Sequence, residues 1–184
     1  MKHWETEENM ETGFVHIYHG EGKGKTTAAV GLAVRAVGAG MHVLFVQLMK
    51  NGASSEIAVL RGIDKIEVHT IKNTYGFTWN MRDDDRIKLR AKNDRAVRAL
   101  IKAVKEETHQ MVVIDELMAA YQGGFVDKEA VLSLIQLCKG TTELVLTGRN
   151  PAKELLERAD YITQLRNERH PYEKGIDARA GIEL

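Results

Sequence analysis

Along this chain of 184 residues, hydrophobic positions fall into short apolar runs separated by segments with helical spacing. Residues 14–18 (FVHIY) form a β-rich run that ends in a glycine-rich turn. TTAAVGLAVRAVGAG follows, with Ala, Val and Leu at helical spacing and Gly38 and Gly40 as a stop. Residues 42–48 (HVLFVQL) are almost continuously apolar, the pattern of a central strand covered on both faces. SSEIAVLRG predicts a short helix, and residues 65–71 alternate like a half-buried or edge strand. After an aromatic-bearing loop at 72–82, residues 83–107 read as a long charged helix with an apolar stripe of Val97, Leu100, Ile101 and Val104. Residues 111–115 and 143–147 are two further buried strands, with a helix at 127–138 between them. Another helix should start near Pro151, since proline suits a first turn. Residues 160–165 make a last strand before a polar tail.

Strands alternating with helices predict an α/β fold with a mostly parallel central sheet flanked by helices. Residues 1–12 are a polar segment carrying one Lys and four Glu, which leaves 13–184 as a single domain.

Composition narrows the function classes. Hydrophobic residues make up 43% and charged residues 28%, an ordinary globular balance. Lys+Arg and Asp+Glu are both 26, so no overall field draws the protein to nucleic acid or to an anionic membrane. No apolar run approaches the ~20 residues of a membrane span, and the first residues carry no secretory signal. Cys138, the one cysteine, lies in a helical apolar pattern and reads as a small buried hydrophobe. These features predict a cytoplasmic protein with neither a nucleic-acid nor a membrane partner. The seven histidines do not cluster as ligands; His16 and His19 read as structural or solvated.

The strongest motif is GEGKGKTT, residues 20–27, between a strand and a helix. In that setting it is a phosphate loop: Gly20, Gly22 and Gly24 let the backbone curl so that its amides and the positive helix end face an anion. Lys25 adds a point charge, and the Thr26 hydroxyl can reach Mg²⁺. His19 stands where the usual spacing has the first glycine, so the loop is one residue short. Glu21 at the tip is expected to turn its side chain away and offer only its amide. The second element is the pair Asp115-Glu116 at the end of an apolar strand, where a carboxylate can hold or orient the metal of a nucleotide complex. These residues alone leave an ATPase, a kinase and a group transferase open.

The run GEGKGKTTAAVGLAVRAVGAG, then FVQLMK, GFTW, VVIDEL, LTGRN and HPYEKGIDARAGIEL, resembles the phosphate-loop type of ATP:cob(I)alamin adenosyltransferase, in the same order from about residue 14 to 184. The shortened loop is shared with that family. The resemblance implies a RecA-like phosphate-loop sheet, usually a homodimer, that uses Mg²⁺ and ATP to adenosylate cob(I)alamin with release of triphosphate. It implies an ATP site of Gly20, Gly22, Lys23, Gly24, Lys25, Thr26, Thr27 and Arg35, with Thr26 and Glu116 on the metal and Lys25 and Glu116 in the catalytic roles. It further implies that Phe77 and Trp79 face the corrinoid, and that a flavoprotein or flavodoxin-type reductant supplies the reduced cobalt. The rival readings are a RecA-like ATPase or small kinase acting on the γ-phosphate, and a nucleotide-binding regulator without turnover.

Overall fold

The computed structural model describes residues 13–50, 54–74 and 80–183. The expectations for residues 1–12, Phe77 and Trp79 therefore lie outside the described residues. Among the described residues, six strands form one sheet: β1 (Val15–His19), β2 (Val43–Gln47), β3 (Ile66–Thr70), β4 (Met111–Asp115), β5 (Glu143–Gly148) and β6 (Tyr161–Gln164). Their spatial order is β3-β2-β4-β5-β1-β6, and every pairing is parallel. The helices are α1 (Lys25–Gly38), α2 (Glu56–Leu60), α3 (Asp83–Lys105), α4 (Leu117–Gln122), α5 (Lys128–Cys138) and α6 (Lys153–Leu156), followed by a 3₁₀ turn at Pro171–Lys174. This is the α/β class the sequence predicts, consistent with a RecA-like phosphate-loop sheet.

The continuous apolar strands follow from helices on both faces. Alternate residues of β2 serve separate cores. Val43 and Phe45 pack under Ala29, Ala33 and Ala36 of α1, where small side chains let the helix lie close to the sheet. Leu44 and Val46 face the opposite core, built with Leu89, Val97, Leu100 and Val104 of α3, Leu117 and Met118 of α4, and Leu134 and Ile135 of α5. The edge strand β3 keeps the alternation expected of it, and the other edge strand, β6, is exposed at all four positions.

Three local features differ from the sequence reading. The inward stripe of α3 starts earlier, at Leu89, and includes a buried Asn93, whose Nδ2 donates to the Phe125 carbonyl at 2.9 Å. Asparagine on a charged helix resembles its solvated neighbours until a loop carbonyl is brought against it. The α4 helix has no counterpart in the sequence reading, because its N-cap is Glu116 in the left-handed region (φ 61°) with no side-chain cap bond. Pro151 precedes α6 rather than lying in its first turn; Ala152 is the N-cap. The helix lasts four residues because the chain soon returns to the sheet, where the Asp160 amide donates to the Val15 carbonyl at 2.8 Å. His16 is structural as expected, with Nε2 2.7 Å from Glu143 Oε2 and its ring stacked 4.5 Å from Tyr161. Among the described residues, no helix is long and apolar enough to cross a membrane.

Cys138 is fully buried, and burial pushes its thiol up to about 12. Only the thiolate reacts with disulfide reagents, so at pH 8 the folded protein should resist such a reagent and release one equivalent on denaturation. Rapid labelling in native buffer, followed spectrophotometrically, would contradict this packing.

Candidate active site

The carboxyl ends of β1, β2, β4 and β5 lie along one edge of the sheet, with Gln47 beside Asp115 and His19 beside Gly148. Ligands of open parallel sheets bind outside these ends. Here a cleft of about 590 Å³ opens, lined by the loop residues 21–27, by Lys50, Glu56, Glu116 and Arg149, and by the C-terminal turn at Ile182 and Glu183.

The phosphate loop is pinned from beneath. The Gly22 amide donates to the Leu165 carbonyl at 2.8 Å, and a Cβ at Gly22 would lie 2.6 Å from the Leu165 carbonyl carbon; only glycine fits this approach. Gly24 is the N-cap of α1 with φ 111°, and neither a side-chain cap nor an acidic first-turn residue neutralises that helix end. The positive end of the helix thus faces the cleft. Lys25 Nζ donates to the Gly22 carbonyl at 2.8 Å. Burial, then the nearby Arg149, lowers the Lys25 pKa, while Glu116, Glu21 and Asp115 act against that.

Beneath the loop lies Asp115, with no exposed surface. Its Oδ1 accepts from Thr26 Oγ1 at 2.8 Å and from Thr147 Oγ1 at 2.7 Å. Its Oδ2 accepts from Gln47 Nε2 and pairs with Lys50 Nζ, both at 3.0 Å. Glu116 follows in the left-handed region, its amide donating to Thr147 Oγ1 at 3.0 Å. Burial, then the adjacent Asp115 charge, raises the Glu116 carboxyl; Lys50, Lys25 and Arg149 oppose that rise.

The structure gathers Gly22, Lys23, Gly24, Lys25, Thr26, Thr27 and Glu116 on this cleft, with Gly20 in the turn just before the loop, against the Leu165 carbonyl. Arg35 is not among the cleft residues. It lies in the last turn of α1, about 15 Å along the axis from Lys25 at 1.5 Å per residue, close enough to Tyr18 to act on its hydroxyl. Glu21 does not turn away: its Oε2 pairs with Arg149 Nη1 at 2.9 Å across the cleft. The sequence reading passed over Gln47, Lys50, Thr147 and Arg149. Their signal was a polar residue ending an apolar strand, in FVQLMK and LTGRN, where a parallel sheet presents its ligands.

The family described as ATP:corrinoid adenosyltransferase BtuR/CobO/CobP matches residues 11–184. The chain is similar to the corrinoid adenosyltransferase of Pseudomonas aeruginosa, 33% identical over 176 residues that cover 95% of this chain and 85% of that protein. It is also similar to the corrinoid adenosyltransferase of Sinorhizobium sp, 31% identical over 95% of this chain and 81% of the relative. Corrinoid adenosyltransferase CobA of Salmonella typhimurium is 33% identical over 94% of this chain and 86% of its own length.

Asp115 and Glu116 should separate in stability. Asp115→Asn replaces a carboxylate that takes four donors with an amide that accepts at one atom, and breaking a buried ionic network costs about 3–5 kcal/mol. Thermal unfolding should fall by roughly 6–20 °C at 2–4 °C per kcal/mol for a chain of this size. Glu116→Gln, at the cleft wall, should stay within about 1 kcal/mol of wild type. Equal melting temperatures for the two variants would contradict the central role of Asp115.

Proposed function

The chain belongs to the ATP:corrinoid adenosyltransferase family, and we propose that the cleft above Asp115 holds the triphosphate of ATP while the 5′-deoxyadenosyl group passes to the reduced cobalt of a corrinoid. The cobalt(I) of the substrate supplies the electron pair, a cobalt–carbon bond forms at C5′, the C5′–oxygen bond breaks, and triphosphate leaves with that oxygen. The chain therefore needs no nucleophile of its own. Its work is to fix C5′ in line and to stabilise the charge on the departing triphosphate.

One observation carries the reading. Lys25, Lys50 and Arg149 converge with the uncapped end of α1 on one cleft, and a polyanion can compete for the two that now pair with acids, Arg149 with Glu21 and Lys50 with Asp115. Gly22, Lys23, Gly24, Lys25 and Thr27 cradle the phosphates, with Gly20 turning the chain into the loop. Arg35, outside the cleft residues, enters the ATP site of this reading only through the family motif. Mg²⁺ fits the donors present, since Thr26, Asp115 and Glu116 offer hard oxygens. Among the described residues no three or more His, Cys, Asp or Glu are grouped to hold a metal, so phosphate oxygens would complete the shell. Mg²⁺ would supply charge neutralisation for the triphosphate, with Thr26 and Glu116 holding it and Lys25 and Glu116 in the catalytic roles. Residues 13–184 carry this site as one domain, working as a cytoplasmic homodimer supplied by a flavoprotein or flavodoxin-type reductant.

Anaerobic incubation with ATP and chemically reduced cobalamin should give the spectrum of adenosylated corrinoid and one triphosphate per corrinoid converted. Release of ADP without a cobalt–carbon bond would favour the ATPase or kinase reading instead. In the same assay Lys25→Ala should weaken ATP binding by about 1.5–3 kcal/mol, the loss of a charge-assisted bond; unchanged binding and turnover would remove Lys25 from the site.

Phe77 and Trp79 carry the corrinoid side of the proposal through the GFTW motif. Trp79→Ala should leave the ATP Kd within about threefold, below ~1 kcal/mol. It should sharply lower conversion when cobalt is reduced on the enzyme, and lower it less when cob(I)alamin is supplied already reduced. Equal loss with both corrinoid forms would contradict this role.

A further inference from the structure

Lys50 reaches the oxygens that a divalent cation would use. Its ammonium lies 3.0 Å from Asp115 Oδ2, 3.4 Å from Thr26 Oγ1 and 3.8 Å from Glu56 Oε1. The backbone delivers it there on purpose-built geometry. The Leu48 amide donates to the Asp115 carbonyl at 3.0 Å, so the chain stays beside β4 one residue past the end of β2. Met49 then takes the left-handed region at φ 61°, unusual for a side chain of its size. The Lys50 amide closes back on the Leu48 carbonyl at 2.7 Å, and its own carbonyl accepts from the Asn73 amide at 3.0 Å. The side chain keeps 28% exposure and lines the cleft.

We infer that Lys50 is an exchangeable cation: its ammonium holds the Thr26 hydroxyl and the Asp115 carboxylate until a divalent cation arrives with triphosphate, and it then transfers its charge to the polyanion. This rests on the reading that the cleft takes a metal–triphosphate complex. A metal ion on Thr26 Oγ1 and an ammonium 3.4 Å from that same oxygen repel each other at contact distance. A metal ion arriving alone must displace Lys50 from Thr26 and Asp115 and leave it only the longer pairing with Glu56, at 3.8 Å. A metal ion arriving with triphosphate brings a second anionic partner, within reach of a flexible four-carbon stem. Lys50 thus makes metal binding conditional on nucleotide.

The test uses the full chain and Mn²⁺ alone, followed by the electron paramagnetic resonance of the free ion. Lys50→Met and Lys50→Gln should bind Mn²⁺ tenfold or more tightly than wild type. The same variants should bind inorganic triphosphate, without metal, tenfold or more weakly. Lys50→Arg, which keeps the charge, should stay near wild type in both. A residue that merely packs would weaken both affinities or neither. Mn²⁺ affinity unchanged or reduced in a cooperatively folding Lys50→Gln would overturn the inference. Acetylation of Lys50 in the wild-type protein, quantified by mass spectrometry, gives a reading that needs no variant. Labelling should rise with saturating Mg²⁺ alone and fall with triphosphate; labelling indifferent to Mg²⁺ would also overturn it. Failure of adenosyl transfer with these signatures intact would strike the functional reading and leave the role of Lys50 standing.

Discussion

The arrangement of this site depends on one buried carboxylate. Asp115 has no contact with solvent, and an uncompensated charge there would be strongly unfavourable. Compensation comes from four places in the chain: Thr26 at the start of α1, Thr147 at the end of β5, Gln47 at the end of β2, and Lys50 just beyond it. Each of these groups is fixed by the need to satisfy Asp115. The phosphate loop is thereby tied to the sheet through Thr26, and the ends of three neighbouring strands are tied to one another. The same contact that stabilises the fold sets the height of the loop above the sheet.

The two adjacent acids have separate duties because their surroundings differ. Asp115 points inward among donors, and its charge is held by them. Glu116 follows a backbone reversal into the left-handed region, which carries it out of the strand and onto the cleft wall. There, burial and the neighbouring Asp115 charge raise its pKa. A positive ligand would relieve both effects, and Lys25, Lys50 and Arg149 relieve them in part. Two acids ending a strand look alike from local pattern alone; the family resemblance singles out Glu116, and the backbone angle at that residue supplies the physical reason.

The same limit explains what could be read from the chain and what could not. The strands, the long helices and the phosphate loop rest on local patterns of apolar spacing and glycine placement, and they appear where those patterns put them. Lys50, Thr147 and Arg149 join the site only because the order β3-β2-β4-β5-β1-β6 brings the ends of β2 and β5 to either side of Asp115. That is a property of topology, absent from any single segment. Arg35 shows the converse: ten residues from Lys25 on one helix, it is near in sequence and far along the axis. The pairing of Glu21 with Arg149 depends on the same long-range placement. A reading of the loop alone therefore sends the glutamate outward.

The least buried strand has a place in this scheme as well. All four residues of β6 are exposed, so it adds little to either core. What it contributes is its continuation. The Leu165 amide donates to the His19 carbonyl at 2.7 Å, and the Leu165 carbonyl accepts from the Gly22 amide at 2.8 Å. One residue beyond the strand thus bridges the end of β1 to the middle of the phosphate loop. Leu165 lies against Gly20, Gly22 and Gly24 at once: its backbone leaves no room for a Cβ at Gly20 or Gly22, while Gly24 meets only its side-chain tip and needs glycine for its φ of 111°. With His19 where a longer loop would begin, the loop has little slack of its own, and this edge of the sheet supplies the support beneath it. The glycines thus let the loop rest on a strand whose other residues face solvent, and the Gly22 amide is committed to that support.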